Sequence, residues 1–495
     1  MKNNVKLLNH VAKRGLVTNR VLKKYDDIPG PKTYPLIGNM LEMKFLGGEL
    51  EFNPFDAFCM KLHEKYGDLV RWSMLGDNSL FVFKPEHAKI VFQNEGSSPI
   101  RPAVIPWEVY SKRKKYPPGL VNSQGNEWKV QRSASNPIVA KPQSIALYLD
   151  THNRIIDEFI DLLKNKSKNG EPICVEKFET DLKYLLLEMM SIVAFDKRLE
   201  CINAERRSPE ILQLLTSIID YGILTSQLYY TVPLWRIYRN KIWNEFEKTS
   251  DFIFNFTRKF VEESYNTLKK TPVKENHTML QQFLLKKTNL NFKEIVSIMS
   301  EFLLGSFDTT ATTIHFWLHK LSTNMEIQEQ IYQEIKNLDK NHSYIDQDDL
   351  SKIPLLKASL KESMRLHSIA PTIARSLSND IVLDDYIIPK NTNINVAFFV
   401  MSKSEKYFKN PNEFRPQRWL KEHQQNEPIN PYTTLPFGFG SRMCIGRRLA
   451  EQKMYLILIK MLQNFKIEYV GKEAKLGFRL IVVPGYDLNL KLSPR

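Results

Sequence analysis

Phe437-Gly438-Phe439-Gly440-Ser441-Arg442-Met443-Cys444-Ile445-Gly446 runs directly into a helical pattern, Arg447 to Leu462, whose Leu449, Ala450, Leu456, Leu458 and Ile459 can be buried. A cysteine on a glycine-rich turn at a helix N-terminus has its thiolate favoured by free backbone N–H groups and the positive end of the helix dipole. Such a sulfur is a metal ligand or a nucleophile. Glycines on both sides let a flat group approach the backbone, Phe437 can lie under it, and Arg442 can meet an anionic substituent. Haem, a planar ring with a carboxylate edge, meets those conditions. An inert loop cysteine meets them too when the residues are taken singly, so the spacing has to decide.

That spacing, F-x-x-G-x-R-x-C-x-G, resembles the haem-binding signature of the cytochrome P450 family at every fixed position. Three further motifs stand in the family's order. Glu362-Ser363-Met364-Arg365 is similar to its E-x-x-R, and Phe414-Arg415-Pro416-Gln417-Arg418-Trp419 to the later motif whose arginine, here Arg418, completes a structural network. Without the resemblance, Glu362 and Arg365 read as an ordinary i,i+3 surface pair worth under ~1 kcal/mol; if buried, loss of one partner costs about 3–5 kcal/mol. Trp128 and Arg132 match the helix that holds a haem propionate, and Arg375 matches the other propionate ligand; taken bare they are a core Trp and surface arginines. The resemblance implies a mainly α fold with a smaller β region, in which haem b lies between a long central helix and the loop and helix that carry Cys444.

The third motif is Gly305-Ser306-Phe307-Asp308-Thr309-Thr310, inside a segment long enough to cross the whole molecule. Burying Asp308 and several hydroxyls is costly unless each finds a partner, and Ser/Thr side chains returning to backbone carbonyls can bend a helix. A widened turn is expected there, although Ser306 stands where the family has a second glycine. By resemblance Thr309 hydrogen-bonds dioxygen, Asp308 organises proton delivery through water, and Cys444, as axial thiolate, favours O–O cleavage.

The remaining composition is compatible with this. In 495 residues, 42% are apolar and 11% aromatic, enough for a large core, and the formal charge is +15. That charge suits an acidic protein or an anionic membrane; it is scattered and accompanied by no recognition motif, which disfavours nucleic acid. Cys59, Cys174, Cys201 and Cys444 stand far apart, so neither a disulfide framework nor a structural zinc site is suggested. No run reaches the ~18–20 consecutive apolar residues of a spanning helix. Residues 1–27 carry seven basic residues and no acid before Asp26, which reads as a mitochondrial presequence or a solvated basic tail. Residues 28–495 read as one catalytic domain. Periodicity predicts helices over 142–165, 175–195, 235–268 and 292–322, a polar loop around 270–290, a hairpin over 69–83 turning at Gly76-Asp77-Asn78, and strands at 381–383, 394–396 and from 478 onward.

The resemblance is strongest to the animal mitochondrial branch, which includes sterol, vitamin D and ecdysteroid hydroxylases and insect detoxifying enzymes. It is carried by Ile353-Pro354-Leu355-Leu356-Lys357-Ala358-Ser359-Leu360-Lys361-Glu362 and by Cys444-Ile445-Gly446-Arg447-Arg448-Leu449-Ala450-Glu451, and by the lack of an amino-terminal anchor. It implies that Lys357, Lys361, Arg447 and Arg448 form a docking face for an acidic [2Fe–2S] ferredoxin; bare, such residues are a solvated face. Leu228 to Trp235 reads as a connector that dips into the inner membrane from the matrix side, or as a buried link. An apolar pocket from residues 100–122, this connector, 370–374 and 482–486 would select a hydrophobic, sterol-sized substrate, into which the resemblance implies insertion of one oxygen atom. A detoxifying monooxygenase, a haem-thiolate isomerase or dehydratase, and a non-catalytic haem sensor are the competing readings.

Overall fold

The computed structural model describes residues 21–495 except 45–46, 52–54, 75–76, 168–169, 230, 232, 271–276, 286–287, 289, 339–343 and 474. Most of the expected presequence, residues 1–20, therefore lies outside the described residues. The chain divides into two compact units, one of residues 1–102, 370–411 and 429–443, the other of 103–369, 412–428 and 444–495.

The smaller unit carries a four-stranded sheet in the order Leu69–Met74, Asp77–Val82, Asn393–Val396, Ile373–Ser376. Only the middle pair is parallel. The hairpin expected over 69–83 forms, but its pairing extends to Met74↔Asp77, so Asp77 and Asn78 are strand residues rather than turn. Ile381–Leu383 pairs with Tyr386–Ile388 across Asp384, whose φ of 49° sits in the left-handed region that Asp tolerates. Leu80, Val82, Ile394 and Val396 share one core cluster, while Phe81, on the opposite face at period two, is buried in another, so the Asp77–Val82 strand is covered on both faces.

The larger unit is helical, with helices at Pro142–Ala146 and Leu149–Lys164, Phe178–Phe195, Lys241–Lys270 and Phe292–Thr323 over the stretches the periodicity marked. One segment differs from expectation. The polar stretch 270–290 holds a short helix, Met279–Leu285, because Met279, Leu280 and Phe283 are buried. Pro209–Tyr229, within the mostly helical stretch 142–337, is a 21-residue helix whose best window has a mean hydropathy of 1.2, long and apolar enough to cross a membrane by length and composition, although Glu210, Gln213 and Asp220 interrupt any continuous apolar run. Part of that window, 44%, is buried in the unit's own core through residues such as Leu214 and Ile218.

The Phe292–Thr323 helix begins in a capping box: Asn291 Oδ1 accepts from Glu294 N at 3.0 Å, and Glu294 Oε2 accepts from Asn291 N at 2.7 Å. Its 32 residues span about 48 Å at 1.5 Å each. The Arg447–Asn464 helix follows the cysteine loop and leads into a three-stranded antiparallel sheet of Ile173–Val175, Leu490–Pro494 and Phe465–Tyr469. A mainly α protein with small sheets is the fold the motifs implied.

Candidate active site

The acidic residue of the E-x-x-R motif is the centre of a buried network. Arg365 donates from Nε to Glu362 Oε2 and from Nη2 to Oε1, both at 2.8 Å, and Arg418 Nε donates to Oε1 at 2.8 Å. Trp419 Nε1 adds a bond to Oε2 at 2.9 Å and the Arg415 backbone N–H one to Oε1 at 3.1 Å. Both Glu362 and Arg365 side chains are 0% exposed, so the surface-pair reading is overturned. Burial alone would push the Glu362 carboxyl up; the guanidinium groups of Arg365 and Arg418 and the Trp419 N–H outweigh it and hold it below its ordinary value. Trp419 belongs to the same motif as Arg418, yet nothing in the spacing signals that its indole reaches Glu362.

Cys444 precedes the N-cap Gly446 of the Arg447–Asn464 helix. Cys444 is exposed as a residue, while protein atoms lie densely around its thiol. Burial pushes the thiol up, while the Gly446 N–H and the charges of Arg132 and Arg447 pull it down. Helix-end stabilisation therefore does not win unaided. A Cβ added at Gly446 or Gly305 would meet no atom within 4 Å, so both backbones border open space. A sulfur with a backbone donor, a nearby guanidinium and open room suits haem. Trp128 is 2% exposed on the Gly125–Val139 helix, and Arg132, one turn on, senses the charge of Cys444.

Within the smaller unit, Arg375 donates from Nε to Glu95 Oε2 at 2.5 Å and from Nη2 to the Phe439 carbonyl at 3.0 Å. Arg442 Nε donates to the Pro99 carbonyl at 2.9 Å. Phe437 is half-buried on the cysteine loop. Glu95 escaped the sequence reading: it stands 280 residues from Arg375 and in no motif.

The Phe292–Thr323 helix is continuous across residues 305–310, and the widened turn expected there is not formed. Thr309 Oγ1 donates to the Gly305 carbonyl at 2.6 Å and Thr313 Oγ1 to the Thr309 carbonyl at 2.8 Å. Asp308 is half-buried, and its charge acts on Lys183, whose ammonium burial draws below the ordinary lysine value.

Of the four basic residues expected at a docking face, Lys361 is exposed and Lys357 half-buried. Arg447 is paired with Glu451 at 3.0 Å, and Arg448 Nη1 donates to the Ala140 carbonyl at 2.8 Å. Glu451 also acts on Lys357, which links the two helices electrostatically. In the connector, Leu228 and Trp235 are buried, Trp235 stacking on Trp243 at 5.0 Å, whereas Leu234 is 67% exposed. Residues 230 and 232 of that connector lie outside the described residues.

The sequence profile of the family described as Cytochrome P450 matches residues 28–487. The chain belongs to the cytochrome P450 family. It is accordingly a monooxygenase whose cofactor is haem b with a cysteine thiolate ligand. The mitochondrial cholesterol side-chain cleavage enzyme of Bos taurus is 29% identical over 483 residues, covering 97% of this chain and 91% of that protein. Cytochrome P450 10 of Lymnaea stagnalis is 26% identical over 478 residues, 96% of this chain and 86% of its own. The probable cytochrome P450 49a1 of Drosophila melanogaster is 29% identical over 500 residues, 96% of this chain and 83% of its own.

Proposed function

We propose that this monooxygenase acts on a hydrophobic, sterol-like substrate, takes electrons from a [2Fe–2S] ferredoxin, and works as one catalytic domain, residues 28–495, at the matrix side of the mitochondrial inner membrane. The observation that carries it is the Cys444 thiol on an exposed loop residue before a helix, with protein close around it and served by the Gly446 N–H and the charge of Arg132. Cys444 would hold the iron, Trp128, Arg132, Arg375 and Arg442 would meet the propionates, and Phe437 would pack on the cofactor. When bound, haem supplies a thiolate-ligated iron that activates dioxygen, the electron push from sulfur favouring O–O cleavage.

The chain's own residues do the rest. Asp308 and Thr309 move protons through water, with Thr309 Oγ1 first leaving its bond to Gly305. Lys357 and Lys361, with Arg447 and Arg448 behind them, meet the acidic ferredoxin. Exposed Leu234, Ile237 and Tyr238 contact the membrane interface. The sterol class and the mitochondrial compartment are supported by the names of the relatives and by the basic leader. A detoxifying role on similar substrates is the second reading, favoured by the match to the insect relative.

The test is the reduced, carbon monoxide-bound spectrum of purified holoprotein. A red-shifted Soret band that disappears in Cys444→Ala is expected; its absence from the native protein, or its survival in the variant, overturns the assignment. Reconstitution with a ferredoxin system and a screen of sterols for a mass gain of one oxygen tests the substrate class.

A further inference from the structure

Within the larger unit a small cavity lies beside the N-terminal half of the Phe292–Thr323 helix, walled by Trp107, Phe254 and Leu304 among others. Its interior volume is about 20 Å³, the room of one water or one hydroxyl group. An apolar hole of that size stays dry, but this one is polar. Glu301 lines it, with Oε2 accepting from the Val121 backbone N–H at 2.9 Å. Tyr221 lines it too, its phenol held protonated by burial and by the charge of Glu301. Ser297, 2% exposed, lines it with a buried Oγ that has no hydrogen-bond partner among the described residues. Gly119 lies against the other side: a Cβ there would come within 2.4 Å of Glu301 Oε2, so a larger residue would make the carboxylate shift.

Ser297, Glu301, Gly305 and Thr309 fall at successive i+4 positions, so they form one ridge of the helix. Glu301 and Thr309 are eight residues apart, which is about 12 Å along the axis. Gly305, between them, borders open space. A carboxylate accepts hydrogen bonds and donates none, and a buried site built around one rejects a group that cannot donate.

We propose that Glu301, with Ser297 and Tyr221, is a specificity-determining anchor for a hydrogen-bond-donating group, a hydroxyl or an ammonium, at the end of an elongated apolar substrate remote from the carbon that is oxidised. This rests on the proposed hydrophobic substrate and deepens it: the substrate is amphipathic, with its polar end in the water-sized cavity. The anchor would set orientation if the bound molecule extends past Leu304 into the open space beside Gly305, which puts its apolar length along the ridge towards Thr309. Glu301 acts as an anionic acceptor, so the ammonium and hydroxyl forms separate on removal of its charge.

The test is binding to the full-length holoprotein, read by quenching of tryptophan fluorescence and by equilibrium dialysis, of cholesterol, its 3-methyl ether and its 3-amino analogue, with dodecanol, dodecyl methyl ether and dodecylamine in parallel. The alcohol and amine are expected to bind about tenfold or more tightly than the ether in the native protein. In Glu301→Gln, which keeps an acceptor, the alcohol stays within about threefold while the amine loses about tenfold or more. Glu301→Leu removes the preference for both. Should Glu301→Leu fail to load haem, Ser297→Ala and Gly119→Ala, the latter forcing the carboxylate to shift, are expected to narrow the alcohol-to-ether ratio by about threefold or more. Equal binding of alcohol and ether by the native protein, or a ratio unchanged in all the variants, overturns the anchor. Preference within the dodecyl series with no sterol bound overturns the sterol-sized substrate and leaves the anchor standing.

Discussion

Arg418 Nε and Arg365 Nη2 donate to the same oxygen of Glu362, Oε1, each at 2.8 Å. Two buried guanidinium groups, brought from positions 53 residues apart in the chain, thus share a single carboxylate.

Removing that carboxylate leaves two buried cations without their anion. Glu362→Ala is expected to cost about 3–5 kcal/mol and to lower or abolish haem incorporation. Thermal unfolding and the reduced carbon monoxide spectrum check it. Because the folded Glu362 carboxyl lies below its ordinary 4.5, its stabilisation is full above that pH and is lost as pH falls through the lower folded value. Acid unfolding of the native protein is expected to show that loss, and Glu362→Gln to lack this contribution.

Lys453 offers the opposite case. It is 1% exposed on the Arg447–Asn464 helix, its Nζ reaches only Met190 Sδ at 3.6 Å, and it forms no ion pair among the described residues. Burial draws it down to about 8 from 10.5, and its charge, after burial, helps to push His152 down to about 3. A depressed lysine costs stability fully below pH 8, and the cost fades as pH rises towards 10.5. Lys453→Met is therefore expected to stabilise the protein at pH 7 by ~3 kcal/mol and to flatten the rise of Tm between pH 8 and 10.5. An unchanged Tm at pH 7 sinks this account.

Thr309→Ala removes the hydroxyl that bonds Gly305 and that the proposed proton path uses. Reducing equivalents are expected to be diverted to hydrogen peroxide, so product per NADPH falls by about tenfold while consumption persists. Peroxide and product are assayed together; coupling at the native level counts against the role.

Charge reversal separates the docking residues. Arg447 and Arg448 already have partners within the chain, whereas Lys361 is exposed. Lys361→Glu is expected to weaken ferredoxin binding about tenfold, ~1.4 kcal/mol, and to reduce its salt dependence, with a smaller effect from Arg448→Glu. Titration at two ionic strengths measures both. Native binding and salt dependence in both variants would place the face elsewhere.

Relations within one element were legible from residue spacing. Cys444 falls just before a helix because the glycine turn stops and the apolar period starts; Glu362 and Arg365 share a face because three residues make most of a turn. The strands at 381–383 and 394–396 followed from β-branched residues. The stretch 142–337 reads as mostly helical, and Pro209–Tyr229 lies within it although periodicity does not mark its ends; the reading fails at Met279–Leu285, a short helix within a polar stretch.

The sequence alone determined the family, the cofactor and the helix faces, since motifs and periods are local and survive without knowledge of neighbours. Only the tertiary structure decided that the Glu362 pair is dry, that Trp419 completes it, that Glu95 faces Arg375, and that Gly119 closes on Glu301. The reason is desolvation: the energy of a charge depends on which distant segments exclude water from it, and that is set by packing between residues far apart in the chain.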